Sequence, residues 1–142
     1  MRILAVDHGE KRIGIAVSDP TATIASPLTV LEHISRAEDA ARVAELARSH
    51  EVGLIVVGQS LDDDGRPTRQ GRSAARFADA LRACVDVPVV LWDEAFSTYE
   101  ALEARRALGI ARKKRREPVD ALAATVILQS YLEARRSSPH TP

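Results

Sequence analysis

The chain has 142 residues, of which 45% are hydrophobic and 28% charged, with 20 basic and 20 acidic side chains. This composition is that of a globular protein and excludes a disordered, collagen-like or low-complexity chain, and the length predicts a single domain over residues 1–136 with a disordered tail over 137–142. A lone cysteine, Cys84, excludes an intramolecular disulfide and a cysteine-cluster zinc site, and the first apolar run is too short for a signal peptide, so we expect a cytoplasmic protein with no membrane partner.

Three strands are predicted in the first third of the chain. Residues 3–6 and 13–17 are short apolar runs separated by a turn that contains Gly9, which is typical of a β-hairpin. A third strand is predicted over residues 23–31. Because its Pro27 cannot donate to a strand ladder, we expect this strand at an edge of the sheet or in a bulge.

Helices and strands alternate in the rest of the chain. Ser35 caps a predicted helix over residues 35–50, and the apolar spacing of residues 74–81 marks a second helix. The continuous apolar runs 54–57 and 87–92, one on each side of that second helix, are typical of buried parallel strands. Two last helices are predicted at 97–108, which opens with a capping box, and at 118–133, which opens with a proline. The order βββαβαβαα predicts an α/β, ribonuclease H-like fold: a mixed five-stranded sheet with helices on both faces.

Carboxylates stand at the ends of two predicted strands and at the start of the last helix. Asp7 ends the first strand, Asp93 and Glu94 end the fifth, and Asp120 lies in the first turn of the last helix. Oxygen-only ligands of this kind suit Mg²⁺ or Mn²⁺, and two such ions can activate a water for phosphodiester hydrolysis. We therefore predict Asp7, Glu94 and Asp120 as metal ligands and catalytic residues.

Each of these acids also has a structural interpretation. An aspartate at a strand end often closes a turn, and Asp120 would favour its helix dipole. Asp93 and Glu94 are adjacent, so in an extended chain only one of them points to a given face; Glu94 is our choice, with Asp93 as the alternative. His8 either orients phosphate or water beside this site or is a turn residue.

The charge of the chain is unevenly distributed. Residues 1–104 carry 11 basic and 17 acidic side chains, whereas residues 105–142 carry 9 and 3. A basic run is often only a solvated loop, but lysines and arginines also bind phosphate backbones. The residues that we predict to bind nucleic acid are Lys11, Arg12, Arg112, Lys113, Lys114, Arg115 and Arg116.

Several motifs together resemble a known family. They are residues 6–19 (VDHGEKRIGIAVSD), 55–58 (IVVG) with 64–65 (DG), 92–94 (WDE) with 97–98 (ST), 112–114 (RKK), 120–124 (DALAA) and 127–132 (ILQSYL). They resemble the YqgF family of ribonuclease H-like proteins, also described as Holliday-junction-resolvase-like. The resemblance covers nearly the whole chain. It implies a cytoplasmic nuclease that matures the 5′ end of pre-16S ribosomal RNA, with Asp7, one acid of the Asp93–Glu94 pair and Asp120 as catalytic acids.

The sequence departs from the family pattern at two places. Ala95 stands where the family usually has an arginine, which weakens a phosphate contact, and Gln59-Ser60 replaces the common Leu-Pro. Junction resolvases of this fold carry an acid at the end of strand four, where this chain has Gly58 and Gln59. That difference disfavours a resolvase.

Three functions therefore compete. The first is a metal-dependent endonuclease on pre-16S rRNA or a pre-ribosomal particle, and the second is a non-catalytic RNA-binding factor for ribosome assembly. The third is a Holliday-junction resolvase-like DNA nuclease, which needs a dimer because it cuts two strands. The sequence leaves open the cleavage position, the preference for RNA or DNA, the choice of metal and the oligomeric state.

Overall fold

A five-stranded mixed sheet forms the centre of the molecule. The computed structural model describes residues 1–96 and 119–136. The strands are β1 (Arg2–His8), β2 (Arg12–Ser18), β3 (Ala25–Glu32), β4 (Val52–Gln59) and β5 (Val89–Asp93), in the spatial order β3-β2-β1-β4-β5. The pairs β1–β2 and β2–β3 are antiparallel, and the pairs β1–β4 and β4–β5 are parallel. The predicted mixed sheet is confirmed, with β1 as its central strand.

Strand β3 accommodates its proline in both of the expected ways. It lies at one edge of the sheet, and its ladder with β2 shifts register where Ile15 pairs with Thr29 but Ala16 pairs with Pro27. Leu28 is therefore the extra residue of a bulge. The missing N–H of Pro27 thus leaves no gap in the interior of the sheet.

In the described part of the chain, three helices pack on the sheet. They are α1 (Arg36–Ser49), α2 (Arg69–Arg82) and α3 (Val119–Arg136), and a short 3₁₀ turn, Glu94–Phe96, follows β5. The Ser35 side chain accepts a hydrogen bond from the backbone N–H of Glu38 at 3.2 Å, so the predicted cap of α1 is confirmed. The predicted helix over 97–108 and the predicted tail over 137–142 lie outside the described residues. None of the described helices is long and apolar enough to cross a membrane.

The sheet has a separate apolar core on each face. Leu4 and Val6 of β1 pack with α1 and α2, whereas Ile3 and Ala5 pack with Leu128 and its neighbours on α3. This division follows from the alternation of side chains along a strand. The helices cover both faces of the sheet, as predicted.

The carboxyl ends of β1, β4 and β5 meet at one end of the sheet, which we call the carboxyl end. Helix α2 starts there because it follows β4, and α1 starts there because it follows β3, which runs in the same direction as β1. Helix α3 is fixed to the end of β5 by a hydrogen bond of 2.8 Å from the indole N–H of Trp92 to Ser130 Oγ. The positive ends of the helix dipoles of α1 and α2 therefore lie beside the carboxyl ends of the parallel strands.

A buried carboxylate holds the start of α1 against the sheet. Asp39 is fully buried and accepts hydrogen bonds from the backbone N–H of Ile34 at 3.1 Å, from Arg42 Nη2 at 2.6 Å and from His33. Burial opposes ionisation, but these hydrogen bonds outweigh it and lower the pKa of Asp39. The ionised carboxylate therefore stabilises the fold above the pKa of an unfolded aspartate, about 3.9, and this contribution is lost as the pH falls below it.

We expect Asp39→Asn to lower the free energy of unfolding at pH 7 by about 3 kcal/mol, because it leaves Arg42 without its buried partner. Between neutral pH and pH 3, the stability of the variant should also fall less than that of the wild type. Urea unfolding at several pH values measures both effects. The matched control is Asp79→Asn, which removes an exposed ion pair with Arg82 and should cost less than about 1 kcal/mol. Equal losses in the two variants would contradict the assignment.

Candidate active site

Asp7 lies at the carboxyl end of the central strand. It is the last but one residue of β1 and pairs with Gly14 of β2. Ile3 and Ala5 on the same strand face α3, so Asp7 faces α3 as well. Its backbone is fixed by the ladder with β2 at this position.

Glu94 lies on the same face as Asp7. It comes two residues after Trp92, which packs on the face of α3, and its side chain lies against the α carbon of Gly58 on β4. A Cβ atom added to Gly58 would lie 3.5 Å from Glu94 Oε1 and 2.7 Å from Ile127 Cδ1 of α3. Leu54 and Val56 place the same side of β4 in the core under α3. Glu94 is therefore beneath α3, as Asp7 is.

Gly58 explains how Glu94 reaches towards Asp7. Strand β4 lies between β1 and β5, so two strand spacings of about 4.8 Å separate the backbones that carry the two acids. Because Gly58 has no side chain, the side chain of Glu94 leans over β4 without obstruction. The sequence does not predict this role of Gly58. The only signal was a glycine at the end of an otherwise apolar run.

Asp93 points the other way. Val89 and Leu91 of β5 pack in the core under α1 and α2, and Asp93 continues this alternation. Its Oδ1 accepts a hydrogen bond of 2.9 Å from the backbone N–H of Ala95, which caps the 3₁₀ turn. The structure therefore places Glu94, not Asp93, on the face of Asp7, while the chemical role of Glu94 stays a prediction.

The environment of Glu94 suits a bound cation. Burial raises the pKa of its carboxyl group, and the negative charge of Asp93 raises it further. A divalent cation would relieve both penalties, and a set of carboxylate oxygens matches the preference of Mg²⁺ and Mn²⁺. The residues that are present therefore fit such an ion.

Asp120 is the second residue of α3, in its first turn, and its side chain lies outside the described part of the chain. Within residues 1–96 and 119–136, no group of three or more metal-ligating side chains stands close enough to hold an ion. Asp7 and Glu94 are thus brought to one face, and the third ligand stays a prediction.

His8 does not lie beside the carboxylates. It is the residue after Asp7 on β1, so it faces α2, where its ring stacks on Phe77 at 4.6 Å between centroids. Burial lowers the pKa of His8 and outweighs the opposite effect of Asp39, so the ring is neutral at pH 7. A role for His8 in orienting phosphate or water at Asp7 does not fit this placement.

Two of the predicted nucleic-acid-binding residues are at the carboxyl end. Both are exposed: Lys11 lies in the tight turn between β1 and β2, and Arg12 is the first residue of β2. Gly9 is required there because a Cβ atom would lie 2.6 Å from the carbonyl oxygen of Arg12. The predicted basic residues from Arg112 to Arg116 lie outside the described residues.

The close contact at Gly58 makes a testable prediction. Gly58→Ala should lower the free energy of unfolding by about 1 to 3 kcal/mol, because the new methyl group overlaps Ile127 Cδ1 in a packed core. Ile127→Val removes that atom. The double variant should therefore lose about 1 kcal/mol less free energy of unfolding than the sum of the two single losses. Urea unfolding of the four proteins measures this coupling. Additive losses would contradict the proposed contact.

Comparison with solved structures defines the class of the fold. Thermus thermophilus RuvC in complex with a Holliday junction superimposes with a TM-score of 0.67 over 97% of each chain, at 20% sequence identity. The fowlpox virus Holliday junction resolvase superimposes with a TM-score of 0.58 over 94% of this chain and 99% of the resolvase, at 14% identity. The chain therefore has the ribonuclease H-like fold of these resolvases, which confirms the predicted fold class.

Sequence comparison then defines the family. The family described as "RuvX: Holliday junction resolvase" matches residues 1–134, and the chain belongs to it. A protein of Thermoanaerobacter pseudethanolicus named "Putative pre-16S rRNA nuclease" is 39% identical over 96% of this chain and 99% of the relative. A protein of Syntrophus aciditrophicus with the same name is 44% identical over 94% of this chain and 89% of the relative. The resemblance that the motifs indicated is confirmed.

Proposed function

We propose that this protein is a divalent-metal-dependent endonuclease of the cytoplasm that hydrolyses phosphodiester bonds at the 5′ end of pre-16S rRNA. The observation that carries the proposal is the placement of Asp7 and Glu94 on one face of the sheet, across the bare backbone of Gly58. The names of the relatives support the substrate. Dependence on divalent metals is general among resolvase-like nucleases of this fold.

Asp7, Glu94 and Asp120 would hold Mg²⁺ or Mn²⁺, which supplies an activated water and charge neutralisation at the scissile phosphate. Asp7 holds its carboxylate at a fixed position on the central strand. Glu94 contributes a partly desolvated carboxylate beside Gly58. Lys11 and Arg12 bind the phosphate backbone next to Asp7, together with the basic residues from Arg112 to Arg116.

A junction-resolving DNA nuclease is the second candidate, because the family is described as a resolvase family. The end of β4 argues against it. Gly58 offers no acid there, and the side-chain amide of Gln59 donates to the carbonyl oxygen of Gly71 at 3.2 Å, so it holds the start of α2. A non-catalytic assembly factor would need neither Asp7 nor Glu94.

Cleavage assays separate these functions. The substrates are end-labelled pre-16S leader RNA, the same RNA in a pre-ribosomal particle, and a four-way DNA junction, each with Mg²⁺, with Mn²⁺ or with EDTA. Metal-dependent cutting of the RNA, free or in the particle, supports the proposal. Paired symmetric cuts in the junction alone, by a dimer, would favour a resolvase. RNA binding without cutting of any substrate would favour an assembly factor.

A further inference from the structure

A second polar cleft opens at the carboxyl end of the sheet, on the face opposite Asp7 and Glu94. Its volume is about 410 Å³, and it lies between the turn after β1 and the first half of α2. His8 and Glu10 line one wall, and Arg69, Ser73 and Arg76 line the other. None of these residues except His8 entered the predicted site.

Two arginines dominate the charge of this cleft. Arg69 and Arg76 are exposed, and neither has a hydrogen bond or ion pair with the described part of the chain. Other arginines of α2 are engaged, since Arg72 donates to the carbonyl oxygen of Pro67 and Arg82 pairs with Asp79. Glu10 is the single acid among the residues that line the cleft, so the two arginines give the cleft a net positive charge.

The backbone of α2 adds to this positive potential. The helix begins after its cap at Thr68 and has no acidic residue in its first turn, so nothing in that turn opposes the positive end of the helix dipole. The start of α2 is rigid, because the backbone N–H of Thr68 donates to Ser60 at 3.0 Å and Gly71 packs against the carbonyl group of Ser60. The cleft thus combines two arginines with the positive end of a helix dipole.

The position of the cleft relates it to the carboxylates. Asp7 and His8 are consecutive residues of β1 that point to opposite faces, and the turn with Lys11 that leads to Arg12, the first residue of β2, follows them. A polynucleotide held at Asp7 can therefore continue over this turn and enter the cleft. No comparable path leads through the centre of the sheet, where both faces are covered by apolar cores.

We propose that this cleft binds the sugar-phosphate backbone of a single-stranded segment that flanks the scissile bond, with Arg69 and Arg76 in contact with its phosphates. The inference rests on the proposed nuclease function and adds a second substrate subsite to it. Recognition is of phosphate, not of base, because the ring of His8 is stacked on Phe77 and the lining offers no other aromatic ring.

The test is a binding titration without metal, so that its result does not depend on cleavage. Fluorescence anisotropy of a labelled single-stranded RNA compares the wild type with Arg69→Gln/Arg76→Gln at several salt concentrations. Two lost phosphate contacts should weaken binding about tenfold at 0.1 M salt and reduce the slope of log K against log salt by about 1.4. The matched control is Arg48→Gln/Arg136→Gln. It removes two charges from surface ion pairs in the last turns of α1 and α3, at the end of the sheet away from the cleft, and should change neither the affinity nor the slope.

The outcomes distinguish this inference from the proposed function. Equal binding by the double variant and the control would overturn the inference, even if cleavage still depends on Asp7. Weaker binding by the double variant alone supports it, even if no cleavage is found. A DNA strand of the same sequence shows whether the subsite discriminates the sugar. Displacement of the RNA by inorganic phosphate at constant ionic strength, independent of RNA length, would mean a free-phosphate site and would overturn the inference.

Discussion

Asp7→Asn should abolish metal-dependent cleavage while the protein remains folded and binds RNA. The substitution keeps the size of the side chain and removes the negative charge that would hold the cation. We expect the rate to fall at least about a thousandfold, since that factor corresponds to a loss of roughly 4 kcal/mol of transition-state stabilisation. Single-turnover cleavage of labelled RNA at saturating protein measures the chemical step separately from binding.

The control for Asp7→Asn is a variant that should weaken RNA binding and leave the chemical step intact. Lys11→Gln/Arg12→Gln removes two exposed charges of the adjoining turn and leaves the carboxylates in place. It should weaken RNA binding and its salt dependence, while cleavage at saturating protein stays within about threefold of the wild type. If Asp7→Asn instead lost folding and cleavage together, in urea unfolding and in the assay, the residue would be structural.

The elements that were predicted well are those with local signals. The apolar runs of β1, β2 and β4 are continuous in the sequence, and Ser35 stands at the capping position of α1. Strand β5 was predicted from residue 87, but it begins at Val89 because Pro88 has no N–H to donate and only its carbonyl group pairs, with Ile55.

The parts of the site that were missed depend on contacts between distant segments. Gly58, Glu94 and Ile127 meet because β4, the end of β5 and α3 pack together, and no spacing in the sequence encodes that meeting. The same is true of the cleft between the turn after β1 and α2, where Arg69 lies near Glu10. The sequence reasoning left His8 either beside Asp7 or in a turn, whereas the stacking of its ring on Phe77 places it on the face that α2 covers.

The choice between the two adjacent acids gives the second large effect. Glu94→Gln should reduce cleavage at least about a thousandfold, as Asp7→Asn does, because its carboxylate lies on the face of Asp7. Asp93→Asn should keep cleavage within about threefold of the wild type, since Asp93 caps the 3₁₀ turn on the other face and asparagine can accept the same hydrogen bond. The two variants remove one charge each from consecutive residues, so they are matched controls for one another.

Stability separates a catalytic role of Glu94 from a structural one. The pKa of Glu94 is raised in the folded protein, so folding favours the neutral form of its carboxyl group. The stability that the neutral form contributes is lost as the pH rises through the folded pKa. At pH 7 the charge of Glu94 therefore opposes folding in the absence of metal. Glu94→Gln should be at least as stable as the wild type in urea at pH 7 with EDTA, and Mn²⁺ should stabilise the wild type more than the variant. If Glu94→Gln lost both stability in EDTA and cleavage, Glu94 would support the fold. A stable but inactive variant is the result expected of a metal ligand whose charge lowers the stability of the fold.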